Sequence, residues 1–555
     1  MIKSIRLKFG RALGLPAEVI STTPVTVFVG PNNSGKSKVL DEINQFCRNG
    51  QKNNLNLILD QIEFESFSEQ VAEIKIKNNL LTPKLGESVY SDHIIIGKKG
   101  VRNQVNKKQL LEAFANPNAR SQQFCPWYLA FNTLILDGKN RINLINEQEA
   151  GDLQHPQTSF QVLFSDDSKR QEVRRIIFDA FGYYFVIDPT KLGRFRLRLA
   201  YYYPQDIRQE RGIDEEAVSY HSKAMPIDAT SDGVKAFTGI ITEIIAGDPV
   251  VLLIDEPEAF LHPALSFKLG KEIARASSKS EKRLFISTHS TNFVMGCIQS
   301  GAPVTIVRLT YRNSSATARI LPQDDILRLM RNPLLRSTGV LAGLFYEFIV
   351  VTESDSDRAF YQEINERLIL NDPDRGIPNC LFLNAQNKQT IHTIIRPLRE
   401  LGIPAAGIID IDIIKDGGSV WTNFLKSGFA PELEHASLAS LRSSVKKKFE
   451  ETGKDMKRDG GVSVLSPTDK EAANNLFDKL ADYGLFVVRK GELESWLPGL
   501  QGVGHGSDWL IDIFEKMGED PSLPNYMKPS TNDVWEFVGQ IKHWLTNANR
   551  KGIPS

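Results

Sequence analysis

The sequence predicts an α/β chain with two parallel-sheet units. Three observations point there. A short apolar strand runs straight into a glycine-rich loop and a helix near residue 30. Two later apolar runs, around residues 250 and 285, end in polar tips, as buried parallel strands do. Beyond Asn332 the pattern becomes strand, helix, strand, helix, strand, which implies a second parallel sheet. With 555 residues the chain also exceeds a single domain of roughly 100–200 residues.

The first element is "PVTVFVGPNNSGKSKVL". Val25 to Val29 reads as a strand, and the eight residues from Gly30 to Ser37 (Gly30, Pro31, Asn32, Asn33, Ser34, Gly35, Lys36, Ser37) match G-x-x-x-x-G-K-[ST]. The glycines let backbone N–H groups curl around phosphates, and the following helix N-terminus adds a positive dipole. Lys36 is placed for the β/γ-phosphates of ATP, and the Ser37 hydroxyl for Mg²⁺. Such a loop needs a second strand ending in an acid, and "DPVVLLIDEPEAFLHP" supplies it. Val250 to Ile254 is the strand, Asp255 is placed to hold Mg²⁺ through water, and Glu256 to polarise an attacking water.

Between these, "ATSDGVKAFTGII" has Ser231 and Gly233 opening an apolar helix, and "RLFISTHSTNFV" is a strand tipped by His289. The order of P-loop, serine–glycine helix start, Asp-Glu strand and histidine resembles the ATP-binding-cassette (ABC) ATPases. That resemblance implies that Ser231 and Gly233 face the γ-phosphate of a partner subunit's nucleotide, that His289 contacts the γ-phosphate, and that the ATPase domains pair as a homodimer or higher oligomer. Here "SDGVK" departs from the transporter-type signature. The long interval between P-loop and signature predicts an inserted subdomain. "DSKRQEVRRIIFDAFGYYF" reads as an amphipathic helix, with Val173, Ile176, Ile177, Ala180 and Phe181 on one face. Residues 150–225 are therefore expected to contain helical insertion or dimerisation elements. "GRFRLRLAYYY" (193–203) mixes Arg with Tyr and reads equally as a nucleic-acid contact or as a half-exposed strand.

In the second half, a strand ending near Val351 is followed by "TESDSD" and a helix. "IPAAGIIDIDIIKDGG" is a later strand ending in Asp410 and Asp412. A one-residue spacing on a strand puts both carboxylates on one face, where they repel each other unless a cation lies between them. Strand C-termini of a parallel sheet gather at one edge, so Glu353 and the Asp410/Asp412 pair form an all-oxygen set suited to Mg²⁺ or Mn²⁺.

Glu353 with Asp357 after one strand, and Asp410 with Asp412 after another, resembles the TOPRIM (topoisomerase–primase) fold. Behind a cassette ATPase, it resembles the overcoming-lysogenization-defect (OLD) family of nucleases. Several of these act in bacterial anti-phage defence, in Gabija-type, PARIS-type and some retron systems. The resemblance implies an ATPase domain at 1–340 and a TOPRIM nuclease domain at 341–555. Glu353 and Asp357 would hold one metal, with Glu353 near the general-base position, and Asp410 and Asp412 would hold the other. Lys490, in "YGLFVVRKGELESWL", would stabilise the transition state, with Glu492 or Glu494 in support. The substrate implied is nucleic acid, DNA before RNA. The resemblance also admits a defence-system partner protein, or a reverse transcriptase with its msDNA. Two departures are visible. Ser354 stands where the family has glycine, and residues 415–482 form a long insertion, whose "SSVKKKFEETGKDMKRDGG" reads as a flexible or partner-binding segment or a solvated helix.

Composition narrows the rest. Lys plus Arg (67) equals Asp plus Glu (67), so any nucleic-acid contact needs a local basic patch. The four cysteines form no CxxC, which excludes a zinc ribbon and fits a reducing cytoplasm. "MIKSIRLKFG" lacks the apolar core of a signal peptide, and no apolar run reaches the roughly 18–20 residues that span a bilayer. Two functions fit these motifs. One is an ATP-regulated, metal-dependent nuclease. The other is a nucleic-acid-sensing ATPase switch whose TOPRIM fold binds a partner without cutting.

Overall fold

The computed structural model describes residues 1–554 other than 13, 99, 139, 313 and 338, with residue 334 described by its backbone alone. It divides into two compact units, Met1–Asp324 and Asp325–Ser555. No helix among the described residues is long and apolar enough to cross a membrane.

The first unit begins with β1 (Ile2–Leu7), β2 (Val19–Ser21), β3 (Val25–Val29), α1 (Lys36–Asn49) and β4 (Leu59–Phe64). Next come β5 (Thr133–Leu136), α2 (Asp167–Phe181), β6 (Tyr184–Asp188) and β7 (Arg194–Ala200). Then follow α3 (Asp232–Ala246), β8 (Val251–Asp255), β9 (Arg283–Ser287), β10 (Val304–Arg312) and β11 (Ser315–Leu321). The central sheet runs β11-β10-β3-β9-β8-β5, parallel except for β11. Its middle strand β3 is buried at every position, which is why Val25–Val29 is an unbroken apolar run. Helix α1 buries Val39, Leu40, Ile43, Phe46 and Cys47, an i, i+4, i+7 stripe, in the core that holds Phe28, Leu253 and Phe285. β1 pairs with β2 and β4 in a separate antiparallel sheet.

Residues 150–225 are not purely helical. Alongside α2, the antiparallel pair β6–β7 extends to Gln148–Glu149 and Met225–Pro226. The cause lies in the period of β7: Phe195, Leu197 and Leu199 point inward, while arginines alternate with them. Arg196 and Arg198 both reach Oδ2 of the fully buried Asp188, at 2.7 and 2.6 Å, so these two read as strand residues committed inside the fold. On α2, Val173, Ile176 and Ile177 are buried, together with Arg170 and Arg174, which share Glu210.

The second unit carries β12 (Phe348–Thr352), α4 (Asp355–Asn371), β13 (Cys380–Asn384), α5 (Ile391–Glu400) and β14 (Ala405–Asp410). These are followed by α6 (Glu432–Thr452), α7 (Pro467–Asp482), β15 (Leu485–Val488), α8 (Ser507–Met517) and α9 (Val534–Thr546). The sheet runs β13-β12-β14-β15, all parallel, as alternating strand and helix require. Its core gathers Phe360 and Tyr361 of α4, Trp509 of α8 and Trp535 of α9 against Val350, Ala406 and Phe486. Within 415–482 the long element is helical: α6 exposes most of its surface and buries Leu438, Val445 and Phe449.

Candidate nucleotide site and acidic centre

The P-loop departs from β3 through Gly30, at φ 146°, where a Cβ would lie 2.1 Å from the Leu309 carbonyl oxygen. Only glycine fits there. Gly35 at φ 92° caps α1, and Asn33 is also left-handed at φ 61°. Lys36 is 4% exposed and donates Nζ–H to the carbonyls of Gly30 (2.9 Å) and Pro31 (2.7 Å). Burial lowers its pKa to about 8, against the pull of Glu256 and Asp255. The Ser34 hydroxyl is buried with no hydrogen-bond partner among the described residues, a donor that a phosphate oxygen would satisfy. Asn32 and Asn33 are exposed on the loop.

β8 delivers Asp255 opposite Ser287 of β9. Asp255 Oδ1 accepts from Ser37 Oγ at 2.9 Å and from the Ser287 hydroxyl. The two residues expected to share Mg²⁺ are thus already adjacent, and a carboxylate with a hydroxyl suits that ion. Glu256 follows at φ 48°, and His289 Nε2 lies 3.5 Å from its Oε1. Burial lowers the pKa of His289, and Lys36 lowers it further. Ser231 is the N-cap of α3, and a Cβ on Gly233 would lie 2.6 Å from the Phe260 carbonyl oxygen.

One member of this site carries no sequence signature. Arg141, on the single helical turn Asn140–Asn143 after β5, is 2% exposed. Its guanidinium donates to the carbonyls of Glu256, Asp255 (3.1 Å) and Asp137 (3.1 Å). Its own carbonyl backs onto Gly239 of α3, where a Cβ would approach it to 3.0 Å. The Arg141 turn therefore touches both the Asp255–Glu256 backbone and the helix opened by Ser231 and Gly233.

Residues 25–295, within the first unit, match the family model described as "AAA domain, putative AbiEii toxin, Type IV TA system". This unit is a P-loop ATPase domain. No curated protein matches the sequence. Among solved structures, the chain is similar to an Smc head bound to the C-winged-helix domain of ScpA: 15% identity, TM-score 0.34, covering 59% of this chain and 99% of that one. It is similar to the SMC head domain from Thermotoga maritima: 14% identity, TM-score 0.29, covering 58% and 99%. It is also similar to a Pyrococcus furiosus Smc head with an extended coiled coil bound to the C-terminal domain of ScpA: 12% identity, TM-score 0.29, covering 59% and 98%.

The second unit gathers acids at the C-terminal edge of its sheet. Glu353 follows β12, and its Oε1 accepts the Asp410 backbone N–H at 2.9 Å. Ser354 caps α4 and forms a capping box with Asp357, whose Oδ2 accepts from the Ser354 N–H and hydroxyl. Serine is thus a working cap where the family pattern has glycine. Asp410 ends β14, with Oδ2 2.8 Å from Lys457 Nζ. Asp412 does not share a strand face with Asp410. The strand stops at Asp410, and residues Ile411–Lys415 form a 3₁₀ turn that buries Ile411, Ile413 and Ile414. Asp412 Oδ2 instead pairs with Lys388 at 2.9 Å, and its Oδ1 is buried without a hydrogen-bond partner among the described residues.

Burial pushes Glu353 and Asp410 well above the usual carboxylate range, with Asp410 adding to the shift of Glu353 and Asp357 to that of Asp410. Burial raises Asp357 too. Carboxylates that resist ionisation and an orphaned carboxylate oxygen are what Mg²⁺ or Mn²⁺ would relieve, although among the described residues the group whose ligand atoms already lie within reach of one ion is Glu492, Glu494 and His505. The middle acid, Asp355, is exposed and pairs with Arg358 at 3.0 Å.

Lys490 pairs with Asp533 and lies over the Trp496 ring at 5.3 Å, and makes no ion pair with Glu353, Asp357, Asp410 or Asp412 among the described residues. Lys457 pairs with Asp410, and burial, which works against its charge, is overridden by Asp410, so its pKa is raised. Glu492 is 3.6 Å from Lys457, while Glu494 pairs with His505 at 2.5 Å. Glu492, Glu494 and His505 lie close enough together to form a small ligand group of their own.

Proposed function

We propose that the chain couples an ABC-type ATPase to a metal-dependent TOPRIM nuclease that cuts phosphodiester bonds in DNA, as an OLD-family effector of anti-phage defence. The observation that carries this reading is the convergence of Glu353, Asp357, Asp410 and Asp412 at one edge of a parallel sheet. Each keeps one carboxylate oxygen with no hydrogen-bond or ion-pair partner among the described residues. A bound divalent ion supplies Lewis-acid activation of water and of the phosphodiester. Glu353, Asp357, Asp410 and Asp412 would hold it, with Glu353 near the general-base position.

In the ATPase domain, Lys36 and the P-loop amides bind the triphosphate, Ser37 and Asp255 hold Mg²⁺, Glu256 orients water and His289 senses the γ-phosphate. Ser231 and Gly233 complete the site of a second subunit in a homodimer. A partner-binding switch without cleavage has no use for four acids gathered at one sheet edge, one of them buried and the others half-buried.

The test is cleavage of DNA and RNA substrates with Mg²⁺ or Mn²⁺, with and without ATP. Glu353→Ala and Asp410→Ala are expected to abolish cutting while ATP hydrolysis persists. Equal residual cleavage in those variants overturns the nuclease assignment.

A further inference from the structure

The turns after β8 and β9 carry the two groups expected at the γ-phosphate, Glu256 and His289, with Oε1 and Nε2 3.5 Å apart. The sheet fixes only where each turn begins. Asp255 pairs with Ser287, and the Glu256 N–H donates to the Ser287 carbonyl at 2.9 Å. Beyond that point both chains leave the sheet, and one side chain ties them together. Glu258 Oε1 accepts the Thr288 hydroxyl at 2.7 Å and the His289 backbone N–H at 2.9 Å. Thr288 is fully buried, and burial raises the pKa of Glu258 against the pull of both donors. Oε2 is buried with no hydrogen-bond partner among the described residues, so the tie to the His289 turn runs through Oε1.

The same segment is fixed at its far end. The Leu261 N–H donates to the Glu258 carbonyl at 2.9 Å, and the Phe260 carbonyl packs on Gly233, where a Cβ would lie 2.6 Å from its oxygen. Glu258 therefore links the His289 turn to a segment that begins at Glu256 and ends against the helix opened by Ser231 and Gly233.

We infer that Glu258 is a positioning residue of the ATPase, whose carboxylate sets the Thr288–His289 backbone against the Glu256 turn so that both side chains meet one phosphate. This rests on the reading of His289 and Glu256 given above. The His289 ring can rotate about its own side-chain bonds, but its Cα moves with the backbone, so a shift of the N–H anchor is carried to Nε2. A misplacement of about 1 Å at a reacting group can cost on the order of a hundredfold in rate. Two anchors are lost together when the carboxylate is removed, so a loss of about tenfold or more is expected.

The experiment is a double-mutant cycle on ATP hydrolysis by the full chain, with binding of a fluorescent ATP analogue measured on the same variants. Glu258→Ala is expected to lower kcat about tenfold or more while analogue affinity stays within about twofold. Glu258→Gln keeps an oxygen that can accept both bonds and is expected to regain most of that loss. In the His289→Ala background, Glu258→Ala is expected to cost little more, because the group it positions is gone. A general structural role would instead lower affinity and turnover together and would add in full to His289→Ala. Either of those results, kcat of Glu258→Ala within twofold of wild type, or Glu258→Gln as slow as Glu258→Ala, overturns the inference and leaves the reading of His289 standing. Unchanged turnover in His289→Ala removes that reading, and the inference with it.

Discussion

Arg141 offers the sharpest test of how the ATPase domain holds Glu256, the carboxylate proposed to orient water. Glu256 sits at φ 48°, a backbone region that costs a non-glycine residue about 1–3 kcal/mol unless its surroundings fix it. Two of those fixing contacts are the Arg141 hydrogen bonds to the carbonyls of Asp255 and Glu256. Bonds from a charged donor contribute about 1.5–3 kcal/mol each. Losing the pair at the low end of that range gives about 3 kcal/mol, equivalent to roughly a hundredfold in rate if it falls on the transition state. Arg141→Met is therefore expected to lower ATP turnover about a hundredfold. ATP affinity should stay near wild type, because Lys36 and the P-loop amides are untouched. Arg141→Lys keeps the charge but not the fork, and should fall between the two. Steady-state hydrolysis and binding of a fluorescent ATP analogue separate the effects. Turnover within twofold of wild type in Arg141→Met, or affinity and turnover lost in equal proportion, refutes a positioning role.

Five further outcomes are expected. With Lys36 near pKa 8 in the free protein, only about a tenth is charged at pH 9. Affinity for ATP, which needs the ammonium, should accordingly weaken about tenfold from its low-pH limit by pH 9; a flat profile from pH 7 to 9.5 contradicts the buried-lysine argument. Arg399 is fully buried and donates to the carbonyls of Ala405 (2.9 Å), Tyr483 (2.8 Å) and Gly552 (3.0 Å), stacked on Trp544. Arg399→Met orphans those acceptors and should destabilise the second unit by about 3–5 kcal/mol in urea unfolding. Gly491→Ala drives a Cβ into the Lys457 carbonyl and should lower the thermal midpoint of the same unit, whereas Gly453→Ala, with open space at its Cβ, strains only its own φ of 67° and should cost less. Asp355→Ala should change stability by less than about 0.5 kcal/mol, as an exposed position does. Asp357→Ala, which breaks the capping box, should cost about 1 kcal/mol by chemical unfolding.

The nucleotide site was legible because its signal is local. A strand, two glycines at fixed spacing and a helix form within 25 residues, and each Gly position has a steric reason that can be read from the motif alone. Arg141 was not legible: its role depends on β5 lying beside β8, a pairing between residues more than 100 apart. The Asp410/Asp412 reading failed for a different reason. Alternation gives a shared face only while the strand lasts, and Ile411 N–H turns away to the Gly491 carbonyl at 3.1 Å. Both acids still reach the centre, Asp412 from a 3₁₀ turn rather than a strand.

The two lysines show where local reading stops. Lys490 follows a parallel strand into the edge where sites form, so it was the natural candidate for the cation. Asp533, 43 residues on, takes that ammonium with one carboxylate oxygen and the Leu497 N–H with the other, at 2.9 Å. Lys457 lies in a run of mixed charge that reads as a solvated surface, yet Gly491, the residue after Lys490, is what lets its backbone approach. The same turn thus carries one lysine that pairs with Asp533 and admits another to Asp410. What decided between the two was not the charge of either lysine. It was the absence of a side chain at the residue between them in space, and the presence of an acid that only the folded chain brings near.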